Sequence, residues 1–173
     1  MKQSVPYPEL DTPAVIVDMD KLEANIEDAQ RLADNGDVKI RPVSKCHESA
    51  EITKMQIKAG GIGVTVGKLK EALHMADEGI GGILILHPFY GPHKMEQLKE
   101  LVSRPNIELH ACTVDMVEQA EAISAVGQAV GKKIPVLLKI ETGLKRFGVL
   151  PGEPALQRAK ELVKIPGIEL VGI

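Results

Sequence analysis

Short apolar runs alternate with amphipathic stretches along nearly the whole chain, and this alternation constrains the fold more than any other feature. Strand-like runs fall near 38–45, 61–66, 82–87, 106–112, 134–140 and 168–173, and helical patterns near 48–59, 68–78, 93–103, 115–130 and 153–164. Runs such as Ile83-Leu84-Ile85-Leu86 and Pro135-Val136-Leu137-Leu138 are apolar on both faces, as a parallel sheet covered by helices requires. Gly79, Gly91, Gly131, Gly152 and Gly167 punctuate the junctions, where helices and strands end. Repeated βα units of this kind make an α/β barrel or a doubly wound sheet. A complete eight-stranded barrel typically needs about 250 residues. The 173 residues here supply six strands of the series, so the expected fold is α/β, an incomplete (β/α)8 TIM-type barrel made of its first six strands.

The N-terminal segment stands apart from this series. Residues 12–17 form a β-branched run, and Asp18-Met19-Asp20 then signals the start of a helix over roughly 21–34, with Leu22, Ile26 and Leu32 on one face. A strand at 12–17 has no neighbour in the series. It is expected to pair with a β domain absent from this sequence, which divides the chain into an N-terminal segment, 1–18, and a partial barrel, 19–173. The chain ends at Gly172-Ile173 within an apolar run. A barrel stopped there would leave an unpaired edge, and self-association without activity is the expectation for such a piece.

Bulk properties exclude several function classes. About 44% of residues are hydrophobic, enough for a sizeable core. The aromatics are Tyr7, Phe89, Tyr90 and Phe147, with no Trp, so platforms for stacking bases are scarce. A net charge of −3 with dispersed Lys and Arg gives no basic track for phosphates and no membrane anchor, and neither nucleic acid nor membrane is expected as a partner. Cys46 and Cys112 have no metal-ligand spacing, and the first residues do not read as a secretory leader. A cytoplasmic location is the default.

The candidate chemistry starts at Lys45, which closes the run Val38-Lys39-Ile40-Arg41-Pro42-Val43-Ser44-Lys45. The carboxyl ends of strands are where βα folds place reactive groups. A lysine amine there can form a Schiff base when burial or nearby positive charge favours its neutral form. The alternative is a surface lysine at a strand end.

Three segments together resemble the fold-type III pyridoxal phosphate enzymes of the alanine racemase N-terminal type, in particular the D-threonine aldolase and D-serine dehydratase branch. Leu10-Asp11-Thr12-Pro13-Ala14 with Asp18-Met19-Asp20-Lys21-Leu22 is similar to the opening of that branch. Arg41-Pro42-Val43-Ser44-Lys45-Cys46-His47 resembles its Schiff-base strand, Arg-Pro-His-x-Lys-x-His-Lys, with Val43 and Glu48 departing from the pattern. Lys139-Ile140-Glu141-Thr142-Gly143-Leu144-Lys145-Arg146-Phe147-Gly148 is similar to the racemase stretch Lys-x-Asp-Thr-Gly-x-x-Arg-x-Gly.

The resemblance implies that Lys45 is the catalytic lysine and binds the cofactor, pyridoxal 5'-phosphate. It places Arg146 on the cofactor's phenolic oxygen and the substrate carboxylate, and Lys139 on a lysine that some racemases carbamylate. His47 and Thr65 are further candidates for cofactor contact, His47 being alternatively a helix cap and Thr65 alternatively a packing residue. Arg146 and Lys139 could instead pair with Glu141. His87 and His110, near strand ends, read as framework histidines, and Arg41 as a structural cation in need of a partner.

The activity implied is that of a lyase on D-β-hydroxy amino acids, by retro-aldol cleavage or by elimination. The resemblance further implies a homodimer and a divalent metal in the complete enzyme, with metal ligands lying outside this sequence. An amino acid racemase or a non-catalytic pyridoxal phosphate carrier would share the same lysine.

Overall fold

The computed structural model describes residues 7–105 and 107–173; residues 1–6 of the N-terminal segment and Asn106, the first residue of the expected strand 106–112, lie outside the described residues. Among the described residues are six α-helices and five strands, which alternate from α2 onward: α1 Met19–Asn35, α2 Ala50–Lys58, β1 Val64–Val66, α3 Leu69–Asp77, β2 Ile83–Ile85, α4 Pro92–Ser103, β3 Leu109–Val114, α5 Val117–Val130, β4 Ile134–Leu138, α6 Glu153–Leu162 and β5 Ile168–Gly172. The strands form one parallel sheet in strict chain order, β1-β2-β3-β4-β5. The order is that of an α/β barrel wall, left open between its first and last strands.

Local chemistry sets the element ends. The Asp18 carboxylate accepts from Lys21 N at 3.2 Å at the start of α1, and Ser49 Oγ accepts from Ile52 N at 3.2 Å at the start of α2, each satisfying an amide that has no partner within the helix. Pro92 opens α4, where its missing N–H costs nothing. Gly131 closes α5 at φ 68°, a left-handed conformation that glycine adopts without penalty.

The core lies between the helices and the sheet. Ile83, Ile85, Cys112, Val114, Ile134, Val136 and Leu138 are buried against Leu69, Met75, Leu98, Leu101, Ile123 and Leu162 of the helices. In β4 the alternate residues Pro135 and Leu137, and in β5 Glu169 and Val171, are more accessible, because they face the side of the sheet that no helix covers. Among the described residues, no helix is long and apolar enough to cross a membrane.

Two of the expected strands do not form. The run 38–45 is reduced to a single bridge, Val43 to Thr65, supported by Ile62 N donating to Ile40 O and Thr65 N donating to Pro42 O. Pro42 has no N–H to give, and the chain turns into a 3-10 turn at Ser44–Cys46. The six expected barrel strands are therefore five strands and a bridge in the same order. At 12–17 no strand is present either: Val15 is 97% exposed. Its β-branched residues favour extended backbone but find no ladder partner among the described residues.

Gly127 fixes how closely α5 approaches the loop before β5. A Cβ at this position would collide with the Gly167 carbonyl oxygen and lie 2.8 Å from that of Lys132. Alanine normally stabilises a helix interior relative to glycine by roughly 1 kcal/mol. Here the overpacking should outweigh that gain, and Gly127→Ala should destabilise the fold by about 1–3 kcal/mol. Urea unfolding checks this, since a variant at least as stable as the parent would show that the two segments can separate freely.

Candidate active site

The C-terminal ends of the strands converge on a cavity of about 250 Å³ lined by Lys45, Leu86, His87, Lys139, Ile140, Glu141, Thr142, Leu144, Arg146 and Phe147. The lining comes from three segments of the chain. Lys45 comes from the 3-10 turn after the Val43 bridge and is exposed. His87 follows β2, and the stretch 139–147 follows β4. Lys45 and Arg146, more than one hundred positions apart in the sequence, therefore line one cavity together with Lys139.

Lys139 Nζ donates to Leu86 O at 3.0 Å, a carbonyl that also accepts from Thr113 Oγ1 at 2.7 Å. Burial lowers the Lys139 pKa from its ordinary value; the Asp115 carboxylate opposes this, and the charges of Arg146 and Lys45 reinforce it. The alternative pairing of Lys139 or Arg146 with Glu141 is not present among the described residues. Glu141 Oε1 instead accepts from Gly143 N at 2.6 Å and Lys145 N at 2.9 Å, and these backbone donors hold its carboxyl below the usual range. Asp115 Oδ2 likewise accepts from Gly148 N at 3.0 Å, and Glu71 Oε2 from Gly67 N at 2.7 Å. The carboxylates around the cavity are engaged by backbone amides.

Phe147 ties the cations together. Its ring centroid lies 5.3 Å from the Arg146 guanidinium carbon and 6.0 Å from Lys139 Nζ, and the His87 ring packs against it at 5.6 Å and 58°, distances at which the ring face attracts positive charge. The His87 pKa is lowered, first by burial and then by Lys139, Lys45 and Arg146, with Glu71 opposing. This shift favours the neutral imidazole.

The other predicted residues lie elsewhere. His47 Nδ1 accepts from Ser49 N at 3.0 Å at the start of α2, and its Nε2 is buried near Gln56 Oε1 with neither atom completing a hydrogen bond. Thr65 is buried in β1, its hydroxyl 3.5 Å from Arg41 O. Neither lines the cavity. Arg41 finds its partners in backbone carbonyls, Ile62 O at 2.8 Å and Gly82 O. No group of three or more His, Cys, Asp or Glu able to hold a metal occurs among the described residues.

Four residues of the site are not singled out for it by sequence reasoning: Phe147, Asp115, His87, which the sequence reads as a framework histidine, and, in its actual role, Glu141. An acidic residue directly after a strand and before a helix is the one signal available for Asp115.

The lowered histidines carry a stability prediction. Burial is the leading cause for His47, His87 and His110 alike. Below about pH 6.5 the unfolded chain therefore binds protons that the native state refuses. Stability should be level above about pH 6.5 and should fall as pH drops through the lowered native values. Urea midpoints at pH 7.5 and 5.5 check this, and equal midpoints would contradict it.

Comparison with known proteins places this geometry in a family. The model for "Alanine racemase, N-terminal domain" matches residues 17–173. The D-threonine aldolase of Arthrobacter sp. is 32% identical over 171 residues, covering 97% of this chain and 44% of that protein. The D-threo-3-hydroxyaspartate dehydratase of Delftia sp. (strain HT23) is 36% identical over 140 residues, covering 81% of this chain and 36% of that protein. The crystal structure of D-threonine aldolase from Filomicrobium marinum superposes with a TM-score of 0.89 at 34% identity, covering 95% of this chain and 43% of the other. The chain spans less than half the length of each of these proteins. It belongs to the alanine racemase N-terminal domain family.

Proposed function

We propose that this chain carries the cofactor lysine and the anion-binding arginine of a pyridoxal 5'-phosphate-dependent lyase acting on D-β-hydroxy amino acids. The observation that carries the reading is the meeting of Lys45, Lys139 and Arg146 in one cavity at the strand ends, with the surrounding carboxylates turned to backbone amides. The donor set suits the cofactor: an accessible primary amine for its aldehyde, and an arginine with no carboxylate partner among the described residues for its phenolic oxygen. When bound, pyridoxal phosphate supplies a conjugated ring that takes up charge while a bond at Cα breaks.

In this reading Lys45 attaches the cofactor through its Nζ. Arg146 offers several coplanar N–H donors to the phenolic oxygen or the substrate carboxylate, and Phe147 keeps that guanidinium over its ring. Neutral His87 lines the same cavity as an uncharged proton acceptor. Similarity to a D-threonine aldolase and a hydroxyaspartate dehydratase supports a lyase that cleaves Cα–Cβ or eliminates the β-hydroxyl.

The test is product analysis on the full-length protein supplied with pyridoxal phosphate, with and without divalent metal. Retro-aldol cleavage of D-threonine yields glycine and acetaldehyde, whereas dehydration of 3-hydroxy-D-aspartate yields an oxo acid and ammonia. Racemisation of alanine without either reaction would overturn the lyase reading.

A further inference from the structure

The loop that carries Arg146 has no regular structure of its own, yet it is closed at its base and pinned from within. Glu141 N donates to Val149 O and Val149 N to Lys139 O, both at 2.9 Å. Between these bonds the backbone takes positive φ at Gly143 (114°), Lys145 (51°) and Gly148 (104°). At Gly148 a Cβ would fall 2.6 Å from Glu141 N, so the loop closes tightly only with glycine there. A non-glycine residue such as Lys145 holds a left-handed conformation only where its surroundings impose it. The Glu141 carboxylate spans this turn, accepting from the backbone N–H groups of the residues that flank Leu144, Gly143 N and Lys145 N.

From this geometry we infer that Glu141 is a positioning residue for Arg146, acting through the backbone of residues 143–145 and never on substrate or cofactor directly. The inference rests on the function proposed above. Its physical content is twofold. Charge-assisted hydrogen bonds from two amides to one carboxylate fix the loop, and through it the direction in which Arg146 leaves the backbone. The same bonds commit the nearest carboxylate of the loop to N–H groups, so that it does not neutralise the guanidinium five residues on. Arg146 is thereby held over Phe147 and open to an incoming anion.

The experiment compares Glu141→Ala, Glu141→Gln, Arg146→Ala and the double variant Glu141→Ala/Arg146→Ala in the full-length protein. In the absence of cofactor, amide exchange at Gly143 and Lys145 should quicken by about tenfold or more in Glu141→Ala, with exchange in β4 unchanged. Glu141→Gln, which keeps an acceptor oxygen but no charge, should recover part of that protection. With cofactor, Glu141→Ala should weaken pyridoxal phosphate binding or raise KM, and the loss should vanish in the Arg146→Ala background because both substitutions remove one interaction.

Unchanged exchange at Gly143 and Lys145 would overturn the inference, as would a full and additive loss of Glu141→Ala on top of Arg146→Ala. Failure of the parent protein to bind pyridoxal phosphate would instead overturn the functional reading beneath it, while the exchange data would still report on the loop.

Discussion

Lys45→Ala is expected to abolish covalent attachment of pyridoxal phosphate and, with it, turnover. In the full-length protein the visible absorbance of bound cofactor should be absent from this variant. Borohydride reduction of the parent followed by peptide mapping should place the pyridoxyl group on Lys45. The size of the effect follows from chemistry: an alanine has no amine with which to form the link, and the other lysine lining the cavity, Lys139, spends its Nζ on the Leu86 carbonyl. Lys45 is accessible and rises from a turn whose backbone is fixed by His47 N and Glu48 N donating to Ser44 O at 3.0 and 2.7 Å, so its amine can reach a ligand without rearrangement of the sheet. An adduct on Lys39, Lys139 or Lys145 would refute the assignment.

Arg146→Ala should lower kcat/KM by roughly ten- to a hundred-fold. The estimate takes the loss of a hydrogen bond to a charged group as about 1.5–3 kcal/mol and converts it at about 1.4 kcal/mol per factor of ten. The larger figure applies if binding desolvates the guanidinium, which is exposed in the free chain. Arg146→Lys should recover little, because an ammonium cannot reproduce the planar array of donors. Steady-state kinetics with a D-β-hydroxy amino acid decides the matter, and parent-like constants in Arg146→Ala would mean that the arginine is only part of the loop surface.

The helices are the most legible part of this chain. Their apolar spacing and their Asp18, Ser49, Pro92 and Gly131 boundaries act locally, and the structure places α1 to α6 within two residues or so of the patterns that predict them. The strands are legible as a series but not in extent. Pro42 and the glycines of 60–63 interrupt ladders that apolar composition alone would extend. The run 12–17 shows the limit of β-propensity, since a strand exists only when a second strand supplies the other half of its hydrogen bonds.

In the site, the motif around Lys45 and the stretch 139–148 can be read from the sequence because each is contiguous. The stacking of Phe147 on His87 and the bond from Gly148 N to Asp115 cannot be read, because each joins segments from different strand ends. Of the two roles the sequence leaves open for His47, cofactor contact or helix cap, the structure shows the second, its Nδ1 accepting from Ser49 N at the start of α2.

The strict chain order of the sheet has a kinetic consequence. Every strand from β2 to β5 pairs with the strand made immediately before it, so no ladder has to wait for a distant segment, and the loop-closure cost of each addition is that of one helix and its turns. During synthesis the wall can lengthen vectorially, each unit docking on a template already in place. The cavity would then be furnished in the order of translation: first the amine of Lys45, next the His87 ring, and last the 139–147 stretch that brings Phe147 against that ring and sets Arg146 beside the waiting lysine.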